Sequence, residues 1–176
     1  MNVPSALAHV WVLLFETLVA LKKTSEAETL VSSVLAREPK NPEALGARGR
    51  VLLAQNRVPE ALDALQQATA GSDPELFIEL AAAYLNANRK ADARNAAMEA
   101  LRRNPAHPWA IAVLAHALIL DGQRAQGLEY LQRAVAIHPR RPAVWEALAV
   151  GFEAAGQAAD AARCRREAKA LADSSS

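Results

Sequence analysis

Four histidines and one cysteine are the side chains of this 176-residue chain best suited to chemistry: His9, His107, His116, His138 and Cys164. An imidazole offers a lone pair near neutral pH for proton transfer or metal binding, and a thiolate is a nucleophile and a soft ligand. Metal sites need such groups repeated at short spacing, as in Cys-x-x-Cys or two histidines one helical turn apart. Here they are dispersed, and no histidine has Cys164 or a second histidine at ligand spacing. A lone cysteine also excludes an internal disulfide framework, and Cys164 reads as a small packing residue. The stretch LGARGRV, with Gly46 and Gly49, lacks the Lys-Ser/Thr pair and the preceding strand of a phosphate-binding loop. No Ser/His/Asp set can be assembled without an arbitrary choice among carboxylates. The expectation is a chain that catalyses nothing and holds no metal or cofactor.

The elements that carry these residues are helices. Apolar residues make up 52% of the chain and aromatics only 5%; the apolar share is mostly Ala, Leu and Val, and Ala and Leu lose little side-chain freedom in a helix. Basic and acidic residues nearly balance, 20 against 19, which argues against a nucleic-acid binder with a basic face. The basic pairs Lys22-Lys23, Arg89-Lys90, Arg102-Arg103 and Arg140-Arg141 mostly close helices, where cations complement the macrodipole. The run ALAHVWVLLFETLVAL, Ala6 to Leu21, is shorter than the roughly 20 residues of a membrane span and contains His9 and Glu16. It also lacks a basic segment ahead of it, as a signal peptide would have. We read it as a buried helix without stable membrane insertion. A cytoplasmic setting follows, or a periplasmic one if a signal segment has been trimmed. The Ala- and Arg-rich composition leans bacterial.

Self-similarity organises the whole chain. Small residues Ala27, Ala61, Ala93, Gly127 and Ala161 sit at matching points of five similar stretches, at intervals of 34, 32, 34 and 34. Pro39, Pro105 and Pro139 keep this register, as do Pro42, Pro74, Pro108 and Pro142. A fixed period of that size signals stacked supersecondary repeats. Each unit reads as two helices. The second proline set suits the first helical position, with Asn41 and Asp73 as good N-caps and His107 and Arg141 as poorer ones. Turns at Asn56, Asn88, Gly122 and Gly156 would separate the helices. Ser25 and Glu28 suggest a capping box, and His107 and His138, beside prolines, read as solvent-facing.

The chain resembles the tetratricopeptide repeat family over about residues 8–173. The last complete unit carries the family pattern at Trp145, Leu148, Ala149, Phe152, Ala161 and Ala168, and the third at Phe77, Leu80, Ala81, Tyr84, Ala93, Ala97, Ala100 and Pro105. The second unit departs most, with Arg48 at the usual leucine and a loop two residues short near Gly71. The resemblance implies an all-α, right-handed α-solenoid of about five helix-turn-helix units, at about 8–41, 42–73, 74–107, 108–141 and 142–173. An extension would occupy residues 1–7 and a disordered tail residues 174–176.

The resemblance further implies that first helices line a concave groove. Carried over by position, the lining would be Val12, Glu16 and Val19; Gly46, Arg50 and Leu53; Ile78, Ala82 and Leu85; Ala112, His116 and Ile119; and Glu146, Val150 and Glu153, with Trp109 near the rim. Such a mostly apolar groove suits a peptide or amphipathic helix. The family's carboxylate clamp needs polar residues where this chain has Leu13, Ala47, Glu79 and Val113, so chaperone-tail binding is not expected. Arg165 replaces a large apolar residue in the last helix, as a solvent-facing cap requires. The first helix has no such cap, and Trp11, Leu13 and Phe15 suggest self-association there. The expected function is a non-enzymatic adaptor or scaffold binding a protein partner. Its rivals are a repeat region of a larger, enzyme-linked protein and an RNA-binding helical repeat; the second would need more inward charge than Arg50 and His116 supply.

Overall fold

The repeat shows first in the backbone. Within residues 10–71 and 73–174, which the computed structural model describes, φ is positive at Lys22 (57°), Asn56 (60°), Asn88 (57°), Gly122 (84°) and Gly156 (77°). At all five places the same pair of bonds forms, 2.8–3.1 Å long: Lys22 N–H donates to the Val19 carbonyl and Lys23 N–H to Leu18, down to Gly156 to Glu153 and Gln157 to Phe152. The motif satisfies carbonyls left over at a helix end and lets the next helix begin at once. Four of these turn residues are types that tolerate the left-handed region. Lys22 is not, and its Cβ crowds the following carbonyl at a cost of about 1 kcal/mol. Lys22→Gly is therefore expected to stabilise the protein by about 0.5–1 kcal/mol, less than the full strain because glycine also loosens the unfolded chain. A urea titration showing no gain would contradict this.

The helices so delimited are α1 (Val10–Ala20), α2 (Thr24–Arg37), α3 (Pro42–Ala54), α4 (Val58–Ala68), α5 (Pro74–Asn86), α6 (Lys90–Arg103), α7 (Pro108–Leu120), α8 (Arg124–Ile137), α9 (Pro142–Ala154) and α10 (Ala158–Asp173), with a 3-10 turn at Thr69–Gly71. Among the described residues there is no strand. The architecture is an all-α repeat solenoid of helix-turn-helix units. Residues 1–7, His9 and the last two serines of the expected tail lie outside the described residues.

Proline opens α3, α5, α7 and α9 at the first or second position, where its missing N–H costs nothing. Asn41 caps α3 by accepting from Ala44 N–H at 2.9 Å, and Asp73 caps α5 by accepting from Glu75 N–H at 3.0 Å. His107, expected to be a poor cap, accepts from Ala110 N–H through Nδ1 at 3.4 Å. The Ser25–Glu28 capping box does not form. Lys23 is the N-cap of α2 and makes no side-chain cap bond, because the preceding turn already fixes the helix start. Glu28 instead accepts from Gln55 Nε2 at 2.7 Å, on the following unit.

The chain divides into two compact units, up to Ser72 and from Asp73 onward. The division falls beside the shortened repeat interval, where α4 runs 11 residues against 14 in α2, α6 and α8. In the first unit the core gathers Phe15, Leu18, Ala27, Val31, Ala47 and Val51, with a second cluster of Leu52 from α3 and Ala61 and Ala64 from α4. In the second, Ile111, Ala134 and Val144 form one cluster, and Ile119, Leu131, Leu148, Phe152, Ala161 and Cys164 belong to another. The repeated small residues Ala27, Ala61, Ala93, Gly127 and Ala161 are all buried. Gly127 shows why: a Cβ there would stand 2.7 Å from the Ala115 carbonyl oxygen and 2.6 Å from Ile119 Cγ1. α7 and α8 approach too closely for any side chain at that point.

Candidate functional site

In the second unit, α7 has the sequence PWAIAVLAHALIL, without a single Asp, Glu, Lys or Arg. Helical spacing turns Ile111, Leu114, Ala115 and Leu118 into the core, all of them buried. The opposite stripe carries Trp109, Ala112, Val113 and His116. On α9, Leu148, Ala149 and Phe152 are buried, which leaves Ala147, Val150 and Ala154 along the side that meets α7. Between these stripes lies a cavity of about 240 Å3, with Ile119, Leu131 and Gly151 completing its wall. A Cβ at Gly151 would come within 2.4 Å of Leu131 Cδ1, so glycine there keeps α9 tight on α8.

The cavity lining is hydrocarbon apart from the indole of Trp109 and the imidazole of His116. Trp109 is 48% exposed and Val150 47%, large apolar surfaces that water solvates poorly. Partial burial lowers the His116 pKa below its ordinary value, which keeps the ring neutral at pH 7. In this otherwise apolar hollow His116 has no second ligating or catalytic side chain beside it in the lining. The hollow offers a seat for an apolar side chain.

Five predicted groove residues thus converge on one cavity: Trp109, Ala112, His116, Ile119 and Val150. The others fare differently. Ile78 is buried in a core cluster with Ala100 and Ala110, and Ile119 is a buried floor rather than an open surface. Both lie deeper than position alone implied, because the small residues let neighbouring helices close over them. Ala82 and Leu85 are half-buried on α5 and are not part of this lining. In the first unit Val12 and Leu53 are half-buried, while Glu16 and Val19 are exposed. Arg50 donates to Glu16 at 2.8 Å and lies over the Phe15 ring at 4.7 Å. The inward charge of that unit is therefore matched within it.

Three expectations need correcting. Phe15, placed with Trp11 and Leu13 on a self-association surface, is 0% exposed; it is core, whereas Leu13 is 71% exposed and Trp11 is half-buried. His107 is not solvent-facing but 9% exposed. With Nδ1 accepting from the helix start, Nε2–H donates to Glu75 Oε1 at 2.6 Å, clamping α7 to α5. His138 is likewise held, its ring nitrogen 2.8 Å from the Ala106 carbonyl. Cys164 is buried against α9, where burial raises the thiol pKa above its ordinary value; it packs, as expected.

The sequence reading missed Leu131, Ala147, Gly151 and Ala154, and named Val113 only as a position where the carboxylate clamp would need a polar residue. Their signal was present: Ala147, Gly151 and Ala154 recur at helical spacing beside Val150, and small residues along a stripe leave room. Position-by-position transfer could not see a hollow made by what is missing. Among the described residues no cluster of His, Cys, Asp and Glu could hold a metal ion, and no helix is long and apolar enough to cross a membrane.

Two family models, both of the tetratricopeptide repeat, match the sequence over residues 12–75 and 95–151. No curated protein matches it significantly. Among solved structures, a thermophilic tetratricopeptide repeat protein of Thermus thermophilus is similar with a TM-score of 0.81 and 24% identity, over 91% of this chain and 89% of that one. MamA of Desulfovibrio magneticus RS-1, residues 41 to the end, gives 0.72 and 18%, over 95% and 96%. The pilF protein of Pseudomonas aeruginosa gives 0.77 and 15%, over 92% and 74%. At these identities the likeness is one of fold.

Proposed function

Because the chain belongs to the tetratricopeptide repeat family, we propose that it is a non-enzymatic interaction module, an adaptor or assembly scaffold that binds a peptide or amphipathic helix. The observation that supports this most is the apolar cavity between α7 and α9, rimmed by exposed Trp109 and Val150. Binding energy in such interfaces concentrates where an anchor side chain fills a desolvated pocket beside an aromatic residue. Of the groove read from sequence, we place recognition on Trp109, Ala112, His116 and Val150. The absence of charge in the lining disfavours both a chain-terminal carboxylate and a nucleic acid as the ligand. A cytoplasmic setting accords with a single thiol kept in the core.

Affinity capture from a cell lysate tests the reading. Val150→Glu puts a carboxylate over the cavity while altering an exposed position, so the fold should survive within about 0.5 kcal/mol. A partner held by the native protein should be lost or weakened at least about tenfold with the variant. Equal capture by both would reject the α7–α9 cavity as the site.

A second reading, self-association through α1, is favoured by one observation. Val10, Leu13, Leu14, Val19 and Leu21 are all exposed on or just after a helix with no Lys or Arg. Leu13→Glu should then lower the mass seen by light scattering at high micromolar concentration to that of one chain. A native protein already monomeric at that concentration would dismiss this reading.

A further inference from the structure

The cavity's surroundings say more about its occupant than apolarity does. Along α9, Glu146, Val150 and Glu153 recur at helical spacing, so a carboxylate lies about one turn to either side of the Val150 rim. Glu153 accepts from Arg165 Nη2 at 2.5 Å and is held below the usual carboxylate range by that bond. The field of the same guanidinium also reaches Glu146. Among the described residues Arg165 is bonded to Glu153 alone, and the α7 wall, free of Asp, Glu, Lys and Arg, supplies no further cation. Glu146 is therefore a solvent-facing carboxylate without an ion-pair partner among the described residues, about one turn from the Val150 rim of an uncharged hollow.

We propose that the partner segment seats one bulky apolar side chain, of Leu, Ile, Met or Phe, in the α7–α9 cavity and sets a Lys or Arg about one helical turn away against Glu146. This rests on the interaction-module reading and names the chemistry of its ligand. The size agrees: a hollow of about 240 Å3 has room for one large apolar side chain. Charge complementarity beside an apolar anchor gives orientation and specificity more than bulk affinity, so an acidic segment of equal hydrophobicity is excluded. His116, neutral and without a hydrogen bond to the described residues, is placed to meet a backbone group of the bound segment.

A random twelve-residue peptide library displayed on phage, selected against the whole chain, tests this. Enriched peptides are then synthesised with a fluorophore and titrated by anisotropy. The expected consensus is one bulky apolar residue with Lys or Arg three or four positions away. Val150→Glu should weaken these peptides at least about tenfold. Glu146→Lys should weaken them by a similar factor and restore affinity to the peptide whose cation is replaced by Glu. Equal binding to the native protein and Glu146→Lys overturns the charge pairing while leaving the apolar cavity as the site. Undiminished binding to Val150→Glu overturns the seat itself, and no enrichment from the library overturns both the proposal and the reading beneath it. Circular dichroism of both variants, whose substitutions are at exposed positions, shows that binding rather than folding has changed.

Discussion

Gly127→Leu is expected to destabilise the second unit by about 2–3 kcal/mol. A leucine is a far better helix former than glycine, and if propensity alone decided, the change would stabilise α8 by nearly 1 kcal/mol. Packing decides otherwise. The added Cβ would sit 2.7 Å from the Ala115 carbonyl oxygen, a backbone atom of α7 that cannot rotate away. Overpacking costs of this kind run to about 1–3 kcal/mol even where flexible side chains can give. α7 and α8 must part, and the α7–α9 cavity is built on that pair. The measurement is a urea titration followed by circular dichroism. A midpoint that falls supports close helix approach as the reason for glycine, and a midpoint that rises means helix propensity has won.

Phe15→Ala carries the other large effect, a loss of about 3–5 kcal/mol. The ring is 0% exposed among Leu18, Ala27, Val31, Ala47 and Val51, and the Arg50 guanidinium lies 4.7 Å above it. Truncation leaves a cavity and removes the ring face that the Arg50 guanidinium covers. Contacts in a repeat array reach only the neighbouring units, so protection against hydrogen exchange should fall in α1 to α3 and hold in α7 to α10. Leu13→Glu, two residues earlier but 71% exposed, should change stability by no more than about 0.5 kcal/mol. The opposite ranking would mean that Phe15 is the surface residue and Leu13 the core one.

That pair of residues also marks where the sequence is readable. Regular features with a local physical cause came through: the period near 34, prolines at helix starts, Asn41 and Asp73 as caps, and left-handed turns at Asn56, Asn88, Gly122 and Gly156. Each depends on a residue and its near neighbours. Lys22 was invisible as a turn because nothing in a lysine announces positive φ; the packing of Leu18 on Ala27 and Val31 across the turn holds it there. In α1 every residue from Val10 to Phe15 is apolar, so composition could not tell the buried Phe15 from the exposed Leu13. The Ala27–Val31 face of α2, with Ala47 and Val51 of α3, breaks that symmetry. His107 was misread for a related reason. Its role is set by Glu75, one repeat earlier, and by the backbone of Ala110, neither of which a lone histidine beside a proline discloses. The cavity was half legible: transfer from the family placed Trp109, Ala112, His116 and Val150 along it, while its depth comes from Gly151, Ala147 and Ala154, positions notable for having almost no side chain.

The central claim is that a partner contacts the face shared by α7 and α9. Photo-crosslinking from inside the cavity addresses it most directly. A benzoylphenylalanine replaces Val150 in one protein and Met98 in another, Met98 being an exposed residue of α6 that lines a different hollow. Both are irradiated in cell lysate. The account predicts a discrete adduct from position 150 that excess native protein competes away, and none of that size from position 98. An adduct from position 98 alone, or the same adducts from both, would contradict it.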